Sequence, residues 1–226
     1  MNSTKKVSVI VGVLYIIGTV AGICRVIFTD SSTAASAGIP VIASNIYNLK
    51  LGILLILLMG ISLAFIPIIV YPIFSKSHKK LSIGFIVFRG AIEPVTYFIT
   101  VIYLIAMVSL GQLYTENQSA LDYYNNTLQL IKNMSSFPFT VFIFGIGALL
   151  FYAMLYKSKA IPQWLSVWGI IAIFLHFVTG FFIIFGIQDE FSLSNSIMNF
   201  PIFLQEMVMA VWLILKGFTI SSESNT

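Results

Sequence analysis

The sequence predicts an all-α, polytopic membrane protein with six transmembrane helices and both ends in the cytoplasm, and three observations carry that prediction. The first is composition. Of 226 residues, 58% are hydrophobic and only 9% are charged, with a mean hydropathy of +0.98, whereas a soluble domain carries about 25% charged residues. Too few polar side chains remain to cover a water-exposed surface. The second is patterning, since the apolar residues come in long unbroken runs. Lipid offers the backbone no water, so only helices and closed barrels span it. A barrel would alternate polarity over short segments. The third is the placement of lysine, which gives the orientation.

A spanning helix needs about 20 apolar residues. The runs that qualify are 7–28, 50–74, 81–110, 137–157, 162–187 and 198–217, within a single membrane domain covering 1–226. The third run is longer than a crossing requires, which predicts tilt or an outward extension. Sorting the connections by side places Lys5, Lys6, Lys76, Lys79, Lys80, Lys157, Lys159 and Lys216 together. The opposite side holds Lys50 and Lys132 with Asp30, Glu116, Asp122, Asp189 and Glu190. Lysine-rich connections stay in the cytoplasm, so both termini are expected inside. Tyr71, Tyr156, Trp164 and Trp212 then fall near the cytoplasmic ends, as interfacial anchors do.

Between the third and fourth spans, Leu121, Tyr124, Leu128 and Ile131 follow helical spacing. They predict an outer interfacial helix over 120–132, with an ordinary loop as the alternative. The basic start at Lys5 and Lys6 and the motif Ala35-Ser36-Ala37 imitate a signal peptide. The apolar run is too long for one and contains Arg25, so it is expected to remain as the first span. Gly18 and Gly22 are spaced for close helix approach. Pro67 is expected to kink the second span, and Pro201 to sit in the first turn of the sixth.

The net charge of +4 does not mark a nucleic-acid binder, because the lysines cap apolar runs and form no patch. The bilayer is the expected partner. A single cysteine, Cys24, leaves no internal disulfide or cysteine-based metal cluster. No Gly-x-Ser-x-Gly and no His-Glu-x-x-His appear. The expectation is no metal, no cofactor and no catalytic residue, with the balance against an enzyme.

Ionisable residues inside spans are costly and mark function or tight pairing. Here they are Arg25, Arg89, Glu93, His176 and Glu206, with Gln205 beside the last. At a rise of about 1.5 Å per residue, Arg89 lies roughly 14 Å deep and Glu206 roughly 15 Å, while Glu93 and His176 lie near 20 Å. Two levels follow, Arg89 with Glu206 and Glu93 with His176. Arg25 lies close to the outer end, within snorkelling reach of the interface. Arg89 and Glu93 are four apart, on one helix face. Pro94 follows directly and deprives the Gly90 carbonyl of its helical donor, which predicts a kink. Two readings stay open for this cluster. It is a clamp that fixes helix packing, or a ligand or proton site. For His176 a hydrogen-bonded packing role is the plainer expectation.

Several blocks resemble a known family. They are Tyr71-Pro72-Ile73-Phe74, Phe88-Arg89-Gly90-Ala91-Ile92-Glu93, the stretch 151–158 followed by Ile161-Pro162-Gln163-Trp164, then Pro201-Ile202-Phe203-Leu204-Gln205-Glu206-Met207 and the stretch 212–218. They resemble the bacterial integral membrane family catalogued as domain of unknown function 4386. The resemblance implies six helices in a bacterial cytoplasmic membrane, with no activity attached. Three functions compete. A small transporter or permeation protein for an unidentified small-molecule or lipid ligand would use the midplane charges, and at this size is expected to form a homo-oligomer. A scaffold, sensor or subunit would use them as a clamp, so that Arg89→Met with Glu206→Met restores what Arg89→Ala loses. An intramembrane lipid-modifying enzyme would draw on Glu93, His176 and Glu206.

Overall fold

The computed structural model describes residues 3–33, 37–117, 121–132, 137–190 and 192–219. Of the Ala35-Ser36-Ala37 motif only Ala37 is among them, and residue 120 lies outside them. The described chain is helical, with no strand. Its elements are α1 (Ser3–Thr33), α2 (Ile39–Ser44), α3 (Ile46–Phe85), a π-helical turn (Ile86–Ile92), α4 (Glu93–Glu116), α5 (Leu121–Lys132), α6 (Phe137–Ser158), α7 (Gln163–Ile184) and α8 (Leu193–Leu215).

Among the described residues, five helical stretches are long and apolar enough to cross a membrane. One of them, Ile46–Glu116, has 71 residues. Straight, it would run on the order of 105 Å, against a hydrocarbon core of about 30 Å. It is not straight, because at His78 the backbone leaves helical geometry (φ −132°, ψ 47°). The two arms then fold back on each other, with Gly60 against Tyr97 and Gly90 against Pro67 and Ala64. The stretch therefore has room for two crossings.

One end of the bundle brings the start of α1 and the end of α8 together. Lys5 Nζ donates to the carbonyls of Ile214 (2.8 Å) and Leu215 (2.7 Å), which are among the four that a helix C-terminus leaves unpaired. Ser8 Oγ accepts from the Phe218 N–H at 2.9 Å, and Thr219 N–H donates to Ala160 O at 2.8 Å. Phe74 packs edge-on against Phe218. α8 stops here in a left-handed turn at Gly217 (φ 82°), a conformation a side chain would resist. At Gly12, α1 and α8 nearly touch, since a Cβ there would lie 2.6 Å from the Ala210 carbonyl oxygen.

The opposite end is capped by α2 and α5. Asn125 Oδ1 accepts from Ile39 N–H (2.9 Å), and Lys132 Nζ donates to Ala37 O (2.6 Å). Tyr124 and Leu128 of α5 are buried in a core cluster with Ile39, Ile42, Leu104 and Met107. Gly18 and Gly22 both face α3, against Leu63 and Met59.

Pro201 is placed differently from the sequence expectation. It lies well inside α8 rather than in its first turn. The helix starts earlier because the Ser192 side chain accepts from Asn195 N–H at 3.1 Å and caps it. Pro201 therefore leaves the Ile197 carbonyl without its helical donor, an ordinary cause of bending.

Candidate functional site

Pro94 shapes the helix in front of it. A proline cannot donate to the carbonyl four residues back, and its ring crowds that carbonyl. The chain responds with a π-helical turn over Ile86–Ile92, in which the Glu93 N–H reaches Phe88 O, five residues back. The wider turn carries Arg89 inward. Gly147 of α6 makes room for it, since a Cβ there would stand 3.3 Å from both Arg89 Cβ and Arg89 N.

Arg89 is 1% exposed and Glu93 0%. Arg89 Nη1 donates to both Glu93 oxygens, at 3.0 and 3.1 Å. Its Nη2 reaches Glu206 Oε1 only at 3.5 Å. Tyr97, one further turn along α4, donates its hydroxyl to Glu93 Oε1. The guanidinium lies over Phe144, 4.6 Å from the ring centroid, and 5.9 Å from that of Tyr15. Its Nε is buried with no hydrogen-bond partner among the described residues.

Thus Arg89, Glu93 and Glu206 meet, while His176 does not join Glu93. Its Nδ1 pairs instead with Asn199 Oδ1 of α8. Asn199 Nδ2 donates to Asn195 O (2.9 Å) and Oδ1 (2.8 Å), which leaves its own oxygen to accept from the imidazole. His176 Nε2 is then a lone-pair acceptor, with no partner among the described residues. Gln205 and Glu206 are adjacent and point apart. Gln205 Oε1 accepts from the Tyr152 hydroxyl (2.6 Å) and its Nε2 donates to Leu165 O (3.0 Å), joining α8 to α6 and α7. Beside it Phe85, Phe151, Tyr15 and Tyr152 form a buried aromatic layer.

Three adjoining cavities lead from the capped end toward this cluster. The widest, about 810 Å³, is walled by α1 and α8 and includes Arg25, Glu190, Asn195 and Asn199. Its apolar wall includes the exposed Ile27 and Phe200, so it opens sideways between the two helices. A second, about 240 Å³, shares His176, Asn199 and Phe203 with it and reaches Glu206. A third, about 250 Å³, shares Arg25 and Glu190 with the first and reaches Tyr97. Phe137 lines all three. Arg25 therefore faces a cavity it shares with Glu190. Glu206, 9% exposed, lies on the wall of the second cavity, and Arg89 and Glu93 line none of the three.

Sequence reasoning did not find Tyr97, Asn199, Tyr152 or Glu190. Tyr97 had a signal, because it lies four residues after Glu93 on the same face. The others come from separate helices, and their pairing exists only in the packed bundle. Among the described residues no three metal-ligating side chains cluster.

Apolar helices of crossing length, with their charges turned inward onto one another, define an all-α polytopic membrane protein. Within that class, the chain belongs to the family described as Domain of unknown function (DUF4386), whose model matches residues 10–217. No curated protein and no solved structure matches the chain.

Proposed function

We propose that the chain is a small, proton-coupled transporter of a bacterial cytoplasmic membrane, with six spans, both ends in the cytoplasm, and Glu206 as its ligand and proton site. The observation that carries this reading is the position of Glu206. It stands where a cavity from the side opposite the lysine-rich connections meets a buried cation. Midplane sites on interrupted helices are the usual arrangement in transporters. The π turn before Pro94 supplies an interrupted helix here, and α8 carries Pro201 in its interior. Arg89 and Glu93, buried and joined through Nη1 to both carboxylate oxygens, hold the helices and the local field in place.

In proteoliposomes loaded with a pH-sensitive dye and holding no ligand, the protein is expected to add a slow proton leak to an imposed gradient, carried by Glu206 when nothing competes for it. Glu206→Gln keeps an acceptor for Arg89 and removes the titrating oxygen. It is expected to lower the protein-dependent flux by about tenfold or more, as loss of an intramembrane proton carrier should. Flux equal to wild type in Glu206→Gln would sink the reading. The orientation has its own check at Cys24, a free and partly buried thiol one residue before Arg25. A membrane-impermeant maleimide is expected to label it from the outside of intact cells only. Labelling confined to inverted vesicles would reverse the topology.

A further inference from the structure

Resting on the reading of Glu206 as the ligand site, we propose that the ligand is an organic monocation with an apolar body, exchanged for a proton at Glu206. The first argument is a charge count. The cluster sets one guanidinium against two carboxylates. Arg89 forks onto Glu93 at 3.0 and 3.1 Å and reaches Glu206 only at 3.5 Å. Glu206 is thus the surplus carboxylate, and its second oxygen has no partner among the described residues. Out of water such a group does not stay ionised and uncompensated. Either a proton or a bound cation completes the count.

The second argument is the chemistry of the wall. The 240 Å³ cavity that reaches Glu206 is lined without a lysine or an arginine, so nothing in it would hold an anion. Its polar termini include two acceptors, the Glu206 carboxylate and His176 Nε2, which the Asn199 bond leaves as a bare lone pair. Phe137, Phe144 and Phe203 supply aromatic surface, which attracts an alkylammonium through the ring quadrupole. A compact, strongly hydrated inorganic cation would trade its full hydration shell for one carboxylate and the neutral oxygens of Thr19, Thr140 and Asn199, on a wall that is mostly apolar. An ammonium carried on an apolar body meets the aromatic wall and the carboxylate together. The sideways opening between α1 and α8 gives such a ligand a route from the bilayer. The exchange balances as protonated Glu206 plus cation giving the carboxylate–cation pair plus one proton. The titratable groups that face Glu206 are Arg89 of the π turn, Glu93 and Tyr97 of α4, Tyr15 of α1, Tyr152 of α6 and His176 of α7.

The test is calorimetric titration of the purified full chain in detergent with benzyltrimethylammonium, using phenylmethanesulfonate as an anion of similar size. The cation is expected to bind saturably and the anion not at all. Titrations in buffers of different ionisation heat should give about one proton released per cation, with affinity falling about tenfold per pH unit in acid, as reciprocal linkage requires. Glu206→Gln should abolish binding. Thr19→Trp, which fills the cavity from its α1 wall, should abolish it too, with Glu206 intact. His176→Gln should keep the acid slope, which assigns the slope to Glu206. Equal binding of both ions, or wild-type cation affinity in Glu206→Gln, would overturn the proposal. If Glu206→Gln stops proton flux in proteoliposomes but wild type binds no cation, the cation is wrong and the proton site stands. If the flux also survives Glu206→Gln, both readings fail.

Discussion

Arg89→Met is expected to destabilise the bundle by about 3–5 kcal/mol, the range for breaking a buried ion pair from one side. The cost comes from what is left behind. Glu93, 0% exposed, would keep only the Tyr97 hydroxyl, and Glu206 would lose its one ion pair. The geometry also says which second change recovers the loss. Glu93 makes both short bonds and Glu206 one long one, so Arg89→Met with Glu93→Gln should recover more than half of it. Arg89→Met with Glu206→Met, the pair chosen from sequence depth alone, should recover little. Thermal unfolding in one detergent, read for all four proteins, decides the matter. Better rescue through Glu206 would mean that Glu93 is not the principal partner.

Gln205→Leu is expected to cost about 2–3 kcal/mol, near the upper end for stranding a buried donor. Its amide is the one polar bridge shown between α8 and both α6 and α7. Bonds between membrane helices average only about 0.6 kcal/mol in double-mutant cycles, because a loosened state finds other partners. Tyr152 has little freedom to do so. It is 1% exposed and its ring packs against Gly169, where a Cβ would come within 2.8 Å. Tyr152→Phe added to Gln205→Leu should therefore return most of the loss, since the stranded hydroxyl goes with it. Additive losses in the double variant would show that the pair is not coupled.

The class of the fold was legible because composition and run length act at the scale of the whole chain. Arg89 and Glu93 were legible as one element because four residues along a helix is a local distance. Pro94 pointed to a broken helix there but not to its form. A kink and a π turn both answer a missing N–H, and only the approach of α6 at Gly147 and the pull of Glu206 select the inward turn of Arg89. Depth counting set Glu206 at the level of Arg89, and the structure has them within 3.5 Å. The same counting set His176 level with Glu93, yet height alone does not say which way a side chain faces. His176 looks to α8 and Asn199, Glu93 to Arg89 and Tyr97. The early start of α8, which put Pro201 in its interior, came from a single Ser192 cap that the apolar run does not signal.

The joining of the two ends has a consequence in time. α1 is made well before α8, but the groove that receives Gly12 is made by Ala210 and Ile214. Lys5 finds its carbonyls 209 and 210 residues downstream. Before α8 is made, α1 can lean on α3, by way of Leu63 and Met59, and on α6, by way of Phe151. Its remaining flank must wait in lipid until α8 arrives. The pairing of α1 with α8 therefore has to wait for α8 to be complete. Among the described residues it joins positions 209 and 210 apart, the kind of contact that forms late and slowly.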